Sequence, residues 1–250
     1  MRRRDALVIG GLFATAIAIP PILRRMPSDF EFSPMTQNGF AGFRRLYGGP
    51  TSGSVDPFVG VGRLLPDQAE PEESEPFSPC LALFGTQKWD AQRLPVAVFS
   101  DFNCPYCKGL EARLHALEES GGPIKLVWHE MPLLGQGSLR AARAALAGRF
   151  LGVEQAARRY LWTNPLRPGP VALENMAIAL GISATSLKRE VGSTRVSDSI
   201  ARSMTLGTRM GVYGTPATVF GRTLVMGEIK DADITKLVQL ELAEGPIACN

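Results

Sequence analysis

The chain has 250 residues, enough for one or two domains with a substantial hydrophobic core. Hydrophobic residues make up 45% of it and charged residues 20%, a composition typical of globular proteins and not of disordered or fibrous ones. The formal net charge of +3 is too small to indicate nucleic-acid binding. The four cysteines (Cys80, Cys104, Cys107 and Cys249) are too few for a disulfide-built scaffold, so each is interpreted by itself.

The N-terminus has the pattern of an export segment. Arg2–Arg4 precede an apolar run over residues 6–23, and a basic head before an apolar stretch is typical of such signals. Arg3-Arg4-Asp5-Ala6-Leu7 also loosely resembles a twin-arginine signal. The run is close to the ~20 residues that span a bilayer, so residues 1–25 are predicted to be a cleaved signal or a retained membrane anchor. Both alternatives place the rest of the chain in the periplasm or cell envelope, because positive charge stays on the cytoplasmic side.

Residues 26–79 show little periodicity and many glycines and prolines. The stretch from Pro66 to Pro79 mixes proline with acidic residues, a composition that buries too little apolar surface to offset the entropy of ordering. We interpret residues 26–79 as a tether that leads to a catalytic domain over residues 80–250. Within it, Phe40–Tyr47 is apolar enough to dock on another surface.

The body of the chain alternates strand and helix patterns. Short apolar runs predict strands, and apolar residues at helical spacing predict helices. In chain order the predicted elements are strands at 80–84 and 96–99, a helix at 108–120, a strand at 124–128, a helical block at about 138–208, a hairpin of strands at 218–220 and 223–226, and a helix at 231–243. This order indicates an α/β architecture with a β-α-β unit and a helical insertion.

A Cys-x-x-Cys motif lies at the junction of a predicted strand and helix. The unpaired backbone N–H groups and the positive end of the helix dipole stabilise a thiolate at Cys104. Pro105 suits the first helical turn, where its missing N–H has no intrahelical partner. We expect Cys104 to be the exposed nucleophile and Cys107, one turn deeper, to resolve the mixed disulfide.

The motif has two alternative interpretations. A zinc site needs about four ligands, but the only histidines, His115 and His129, are too far apart in sequence to complete one, so no metal site is predicted. A purely structural disulfide between Cys104 and Cys107 would close a very short loop, which gives little entropic stabilisation and a reducible bond.

Two segments carry a resemblance to a known family. Phe99–Lys108, which contains the Cys-Pro-Tyr-Cys motif, resembles the active-site segment of the DsbA-like branch of the thioredoxin superfamily. Gly211–Phe220 resembles that family's second site segment, in which Thr215 would precede a cis-proline, Pro216, that faces the cysteines. The resemblance implies a thioredoxin-like fold with an inserted helical domain, a thiol–disulfide oxidoreductase without a cofactor, and a Thr215 backbone open to an incoming peptide strand.

Residues around the motif are expected to tune it. Strongly oxidising family members carry histidine between the cysteines, whereas Tyr106 supplies no positive charge, so we expect a weaker oxidant. Asp101 could relay a proton or, more simply, cap the following helix. The resemblance leaves oxidase, isomerase and reductase roles open, and we favour the first two. The implied partners are exported proteins with cysteines and a membrane redox protein that resets the pair.

Cys80 and Cys249 lie outside the motif. Cys80 opens the predicted domain and Cys249 nearly ends the chain, so in an oxidising compartment the two could form a structural disulfide. The alternative functions are an exported Cu(I)-binding module that uses the thiolates of the Cys104–Cys107 pair, and a peptide-binding chaperone that uses the groove near Pro216.

Overall fold

The computed structural model describes residues 28–37, 39–53, 77–85 and 92–246. Among these, the elements in chain order are β1 (Ser33–Pro34), β2 (Arg44–Tyr47), α1 (Pro79–Phe84), β3 (Leu94–Ser100), α2 (Pro105–Glu119), β4 (Ile124–Glu130), α3 (Gln136–Phe150), α4 (Glu154–Thr163), α5 (Pro170–Leu180), α6 (Ala184–Val191), α7 (Thr194–Arg209), β5 (Ala217–Phe220), β6 (Thr223–Met226) and α8 (Asp231–Glu244). The predicted export segment, residues 1–25, lies outside the described residues. Within the described ranges, no helix is long and apolar enough to cross a membrane.

The six strands form one mixed sheet in the order β1-β2-β6-β5-β3-β4. Strands β3 and β4 are parallel and are joined by α2, which is the predicted β-α-β unit. The β5–β6 hairpin adds to β3 in the antiparallel sense. The predicted α/β, thioredoxin-like fold with a helical insertion is confirmed.

Side chains of β3 alternate between two cores, one on each face of the sheet. Val96 and Val98 belong to a cluster with residues of α2 and α8. Ala97 and Phe99 belong to another with residues of α1 and α7. Every residue of β3 is buried, as expected for a central strand covered on both faces. Because β3 is so enclosed, the loop that follows it is held firmly where the Cys-x-x-Cys motif begins.

The helical insertion runs from Gln136 in α3 to Arg209 in α7, close to the predicted 138–208. Its core is rich in alanine, which lets the helices approach closely. At Gly148 a Cβ atom would lie 2.4 Å from the Cβ of Ala157, so only glycine fits where α3 meets α4. The small side chains of the insertion therefore allow its helices to pack closely against each other.

The predicted strand at 80–84 is wrong, because these residues form the helix α1. Ser78 caps the helix by accepting a hydrogen bond from the backbone N–H of Leu81, and Pro79 occupies the first turn. Gly85 ends it in the left-handed conformation, with φ 66°. A Ser-Pro start and a glycine stop around an apolar run indicate a short helix, and these signals outweigh the apolar run itself.

The tether interpretation of residues 26–79 needs correction for its described part. Strand β2 pairs in parallel with β6, and Arg44 forms ion pairs with Glu241 and Glu244 of α8. Phe40 and Phe43 are buried against the sheet, so the apolar patch docks on the chain's own domain. The pairing was missed because a parallel partner lies far away in sequence. The acid-rich stretch through residue 76 lies outside the described residues.

Candidate redox site

The Cys-x-x-Cys motif forms the first turn of α2. Cys104 is the N-cap residue with extended backbone angles, φ −76° and ψ 120°, and Pro105 takes the first helical position. The N–H of Cys104 donates to the carbonyl of Asp101 at 3.0 Å, which fixes the turn between β3 and α2. Cys107 lies one turn along and is fully buried. The sequence thus places one sulfur at the helix entrance and the other behind it.

The two thiols are free and differ strongly in acidity. A hydrogen bond from the Cys107 side chain lowers the pKa of Cys104 to about 6, with further help from Thr215 and from the backbone of Tyr106 and Cys107 against the opposing effect of burial. Burial raises the pKa of Cys107, as does the hydrogen bond and charge of Cys104. Near neutral pH the pair therefore holds one thiolate, on Cys104, and one thiol, on Cys107.

The second predicted segment lies directly opposite Cys104. The peptide bond between Thr215 and Pro216 is cis, as the resemblance implied. The Cys104 sulfur lies 3.2 Å from the carbonyl oxygen of Thr215. Two segments more than a hundred residues apart in sequence thus meet at one sulfur.

The expectation that Cys104 is exposed is wrong for this conformation, because the residue is only 1% exposed. The backbone of Thr215, which the resemblance implied to be open, is also occupied. Ser52 pairs with it as an isolated antiparallel bridge, with N–O distances of 2.6 and 2.7 Å. Sequence reasoning missed Ser52, because a single bridge formed by an irregular segment leaves no periodic pattern.

Asp101 organises the loop before the motif. It is buried, and its two carboxylate oxygens accept hydrogen bonds from the backbone N–H groups of Asn103 at 2.8 Å and Leu134 at 2.9 Å. Asp101 therefore ties the active loop to the segment after β4, whereas the helix itself is capped by Cys104. Of the other predicted tuning residues, Pro105 is exposed and Tyr106 is partly exposed.

A buried charge cluster that sequence reasoning missed lies behind the motif. The guanidinium of Arg158 in the insertion binds Glu111 of α2 in a bidentate manner, at 2.7 and 3.1 Å, and also binds Glu130 of β4. Trp162 donates its indole N–H to Glu111 at 2.9 Å, and all three charged side chains are at most 2% exposed. A glutamate in the apolar stripe of α2, one turn after Cys107, was the available signal.

The predicted structural disulfide is only partly visible. Cys80 is buried at the start of α1 and is disulfide-bonded. Cys249, its predicted partner, lies outside the described residues, so the pairing stays a prediction.

The two histidines contact residues other than the two thiols. His129 is buried, with Nε2 2.8 Å from the carbonyl oxygen of Leu83, and burial lowers its pKa to about 4. His115 stacks on Trp128. In the described part of the chain, no group of three or more His, Cys, Asp or Glu side chains is placed to hold a metal ion.

The chain is similar to several solved structures. Among solved structures, a thioredoxin-like oxidoreductase from Silicibacter pomeroyi DSS-3 is 30% identical, with a TM-score of 0.54, over 64% of this chain and 95% of that one. The thiol-disulfide exchange protein α-DsbA2 from Wolbachia pipientis is 23% identical, with a TM-score of 0.56, over 64% and 91% of the two chains. The catalytic domain of Proteus mirabilis ScsC is 22% identical, with a TM-score of 0.55, over 65% and 94%. The last two show the shared fold.

The family assignment rests on a family model that matches more than half of the chain. No curated protein matches the chain. A family model described as a DSBA-like thioredoxin domain matches residues 95–239, which include both Cys104 and Cys107 and the cis-proline segment. The chain therefore belongs to the DSBA-like thioredoxin family and is a thiol–disulfide oxidoreductase.

Proposed function

We propose that the protein exchanges disulfides with exported proteins, as an oxidase or an isomerase, through the Cys104–Cys107 pair. Cys104 is the nucleophile, Cys107 resolves the mixed disulfide, and Thr215 and Pro216 form the groove that receives the substrate. The observation that carries this proposal is the split acidity of the two thiols at the start of α2, with the pKa of Cys104 at about 6 and that of Cys107 raised. A stable thiolate on the entrance cysteine is a good leaving group, which favours donation of a disulfide.

The exchange needs no cofactor, because the two cysteines themselves accept the electrons of the substrate. In the oxidising direction, a substrate thiolate attacks the sulfur of Cys104, the Cys104–Cys107 bond breaks, and Cys107 leaves and takes up a proton. A second substrate thiolate then attacks the substrate sulfur of the mixed disulfide, and Cys104 leaves as a thiolate. Two electrons pass from the substrate dithiol to the protein, which ends as the dithiol form that the structure holds.

The same sulfur also serves isomerisation. In that direction the Cys104 thiolate attacks a wrong disulfide, and the released substrate thiolate attacks another bond and frees Cys104 again, with no net transfer of electrons. Oxidation requires a partner that removes two electrons from the dithiol after each turnover, and we propose a membrane redox protein for that step. Isomerisation requires that the pair be kept reduced.

The proposed site of action is the periplasm or cell envelope. The basic and apolar pattern of residues 1–25 supports export, by cleavage of a signal or retention of an anchor. One protein of this fold, at 23% identity, is a periplasmic thioredoxin-like protein from Salmonella enterica serovar Typhimurium, which is consistent with the proposal.

Two parallel assays test the proposal and separate its two forms. The full chain is given a reduced, unfolded protein with several cysteines in one assay and the same protein with scrambled disulfides in the other, and recovery of native activity is followed. An oxidase accelerates the first reaction in its disulfide form, and an isomerase accelerates the second in its dithiol form. The matched control, Cys104→Ser, should abolish both. A chain that accelerates neither reaction but binds Cu(I) or suppresses aggregation would refute the proposal.

A further inference from the structure

The segment Thr51–Gly53 occupies the backbone of Thr215, which lies beside the Cys104 sulfur. The N–H of Ser52 donates to the Thr215 carbonyl at 2.6 Å, and the N–H of Thr215 donates to the Ser52 carbonyl at 2.7 Å. The Thr51 hydroxyl adds a hydrogen bond to the same Thr215 carbonyl at 2.9 Å. Both polar groups of the Thr215 backbone are therefore used within the chain.

An extended peptide that adds to a strand edge needs a free N–H and a free carbonyl there. At Thr215 those groups are the ones that Ser52 holds, so a peptide and Ser52 exclude each other. The Thr215 carbonyl already accepts from Thr51 and Ser52, and these two donors use both of its lone pairs. The 1% exposure of Cys104 agrees with a covered site.

The segment also fits tightly against the loop before the cis-proline. A Cβ atom at Gly53 would lie 2.5 Å from the Tyr213 carbonyl oxygen, and one at Gly214 would lie 2.6 Å from the Thr51 hydroxyl. Both distances are shorter than a Cβ atom approaches another heavy atom, so the absence of a side chain at the two glycines permits the contact. The fit depends on residues of both segments, as expected for a built contact.

The anchor of the segment is separate from the contact with Thr215. Upstream, Gly49 donates to the Glu228 carbonyl at 2.6 Å, and Glu228 donates back to the Pro50 carbonyl at 3.0 Å. These bonds do not involve Thr215. Residues 51–53 can therefore leave Thr215 while residues up to Pro50 keep their bonds to the loop after β6.

We propose that Thr51–Gly53 is an internal pseudo-substrate, which pairs with Thr215 where a substrate strand would pair and must be displaced before a peptide reaches Cys104. This rests on the proposed function of the site. It restricts the substrates to extended segments that can replace Ser52 on both backbone groups of Thr215. A small thiol reagent needs no such pairing, so it is hindered less than a peptide.

The test compares two disulfide probes with the same aromatic leaving thiol on the reduced full chain. One probe is a cysteine peptide whose sulfur carries the leaving thiol, and the other is the small symmetric aromatic disulfide. The Cys104 thiolate attacks either probe, a mixed disulfide forms, and the coloured leaving thiolate is released. Ser52→Pro removes the donor to Thr215, and Gly53→Val places a branched side chain against Tyr213. Tyr47→Ala is the matched control, because Tyr47 ends β2 just upstream of the segment and is 63% exposed.

Both variants should react with the peptide about five- to tenfold faster than wild type, relative to the small probe, since each intramolecular hydrogen bond is worth roughly a factor of five. Tyr47→Ala should leave the ratio unchanged. An unchanged or lower ratio in the folded variants, with the small probe still reacting, overturns this inference alone. If one variant fails to fold by circular dichroism, the other decides. Failure of Cys104 to react with either probe overturns the proposed function and this inference together.

Discussion

The buried arginine behind the redox motif allows a sharp test of the packing between the insertion and α2. Replacing Arg158 by methionine keeps much of its volume but leaves Glu111 and Glu130 buried without their cation. Removing one partner of a buried ion pair costs about 3–5 kcal/mol, because the remaining charge is uncompensated. For a domain of this size each kcal/mol lowers Tm by roughly 2–4 °C, so we expect a loss of about 6–20 °C.

The neighbouring residue supplies the control. Arg159 pairs with Glu119 at 3.6 Å, but the two side chains are 64% and 55% exposed. Exposed pairs contribute about 0–1 kcal/mol, so Arg159→Met should shift Tm by at most a few degrees. The assay is thermal and urea unfolding of the full chain in its reduced form, followed by circular dichroism.

The loss in Arg158→Met should also depend on pH. Burial already raises the pKa of Glu130, and Arg158 opposes that rise. Without Arg158 the folded-state pKa of Glu130 rises further above its unfolded value of about 4.3. The variant therefore keeps its stability below about pH 4.3 and loses it as pH rises through the folded-state pKa of Glu130. Destabilisation should therefore be greater at about pH 8 than at about pH 5. An equal loss in Arg158→Met and Arg159→Met, or one independent of pH, would refute the reasoning.

Four further predictions concern the motif and the loop before it. The rate of alkylation of Cys104 should rise with pH through about 6 and then level off, while Cys107 stays unmodified. Peptide mapping by mass spectrometry measures both rates, and a midpoint for Cys104 near the ordinary thiol pKa of about 8.5 would contradict the prediction. Because the folded pKa of Cys104 is depressed, its thiolate stabilises the reduced protein fully above about pH 8.5 and loses that contribution as pH falls through about 6, a trend that unfolding curves at several pH values should show. Tyr106→His should make the pair more oxidising by about 30 mV for each pKa unit that the added charge removes from Cys104, measured by glutathione equilibration, and an unchanged potential would contradict it. Asp101→Ala should cost about 1–3 kcal/mol, since two part-buried backbone N–H groups lose their acceptor. Asp198→Ala on the exposed surface of α7 should cost little in the same urea titration.

Local rules explain what the sequence predicted well. The position of Cys104 at the start of α2 follows from the strand before it and from Pro105 in the first turn, all within a few residues. The sequence also predicted the hairpin of β5 and β6, because a tight turn separates the two strands. It predicted the cis bond before Pro216 because that segment resembles the family's second site segment.

Non-local contacts explain what the sequence did not predict. The pairing of Ser52 with Thr215 joins residues 163 apart through backbone groups, which every residue carries and which leave no mark on side-chain pattern. The covered state of Cys104 could not be foreseen without the Thr215 contact. The ion pairs of Arg158 join the insertion to α2 and β4, so the pattern of any one of these elements does not show why its charged residue is buried.

The central claim is that Cys104 attacks and Cys107 resolves. The most direct measurement is the capture of a disulfide-containing substrate by the reduced forms of Cys107→Ser, Cys104→Ser and the unchanged full chain, with the linked residue identified by mass spectrometry. The account predicts a stable mixed disulfide on Cys104 in Cys107→Ser, none in Cys104→Ser, and only a transient one in the unchanged chain. A stable adduct on Cys107 in Cys104→Ser, or no adduct on Cys104 in Cys107→Ser, would contradict it.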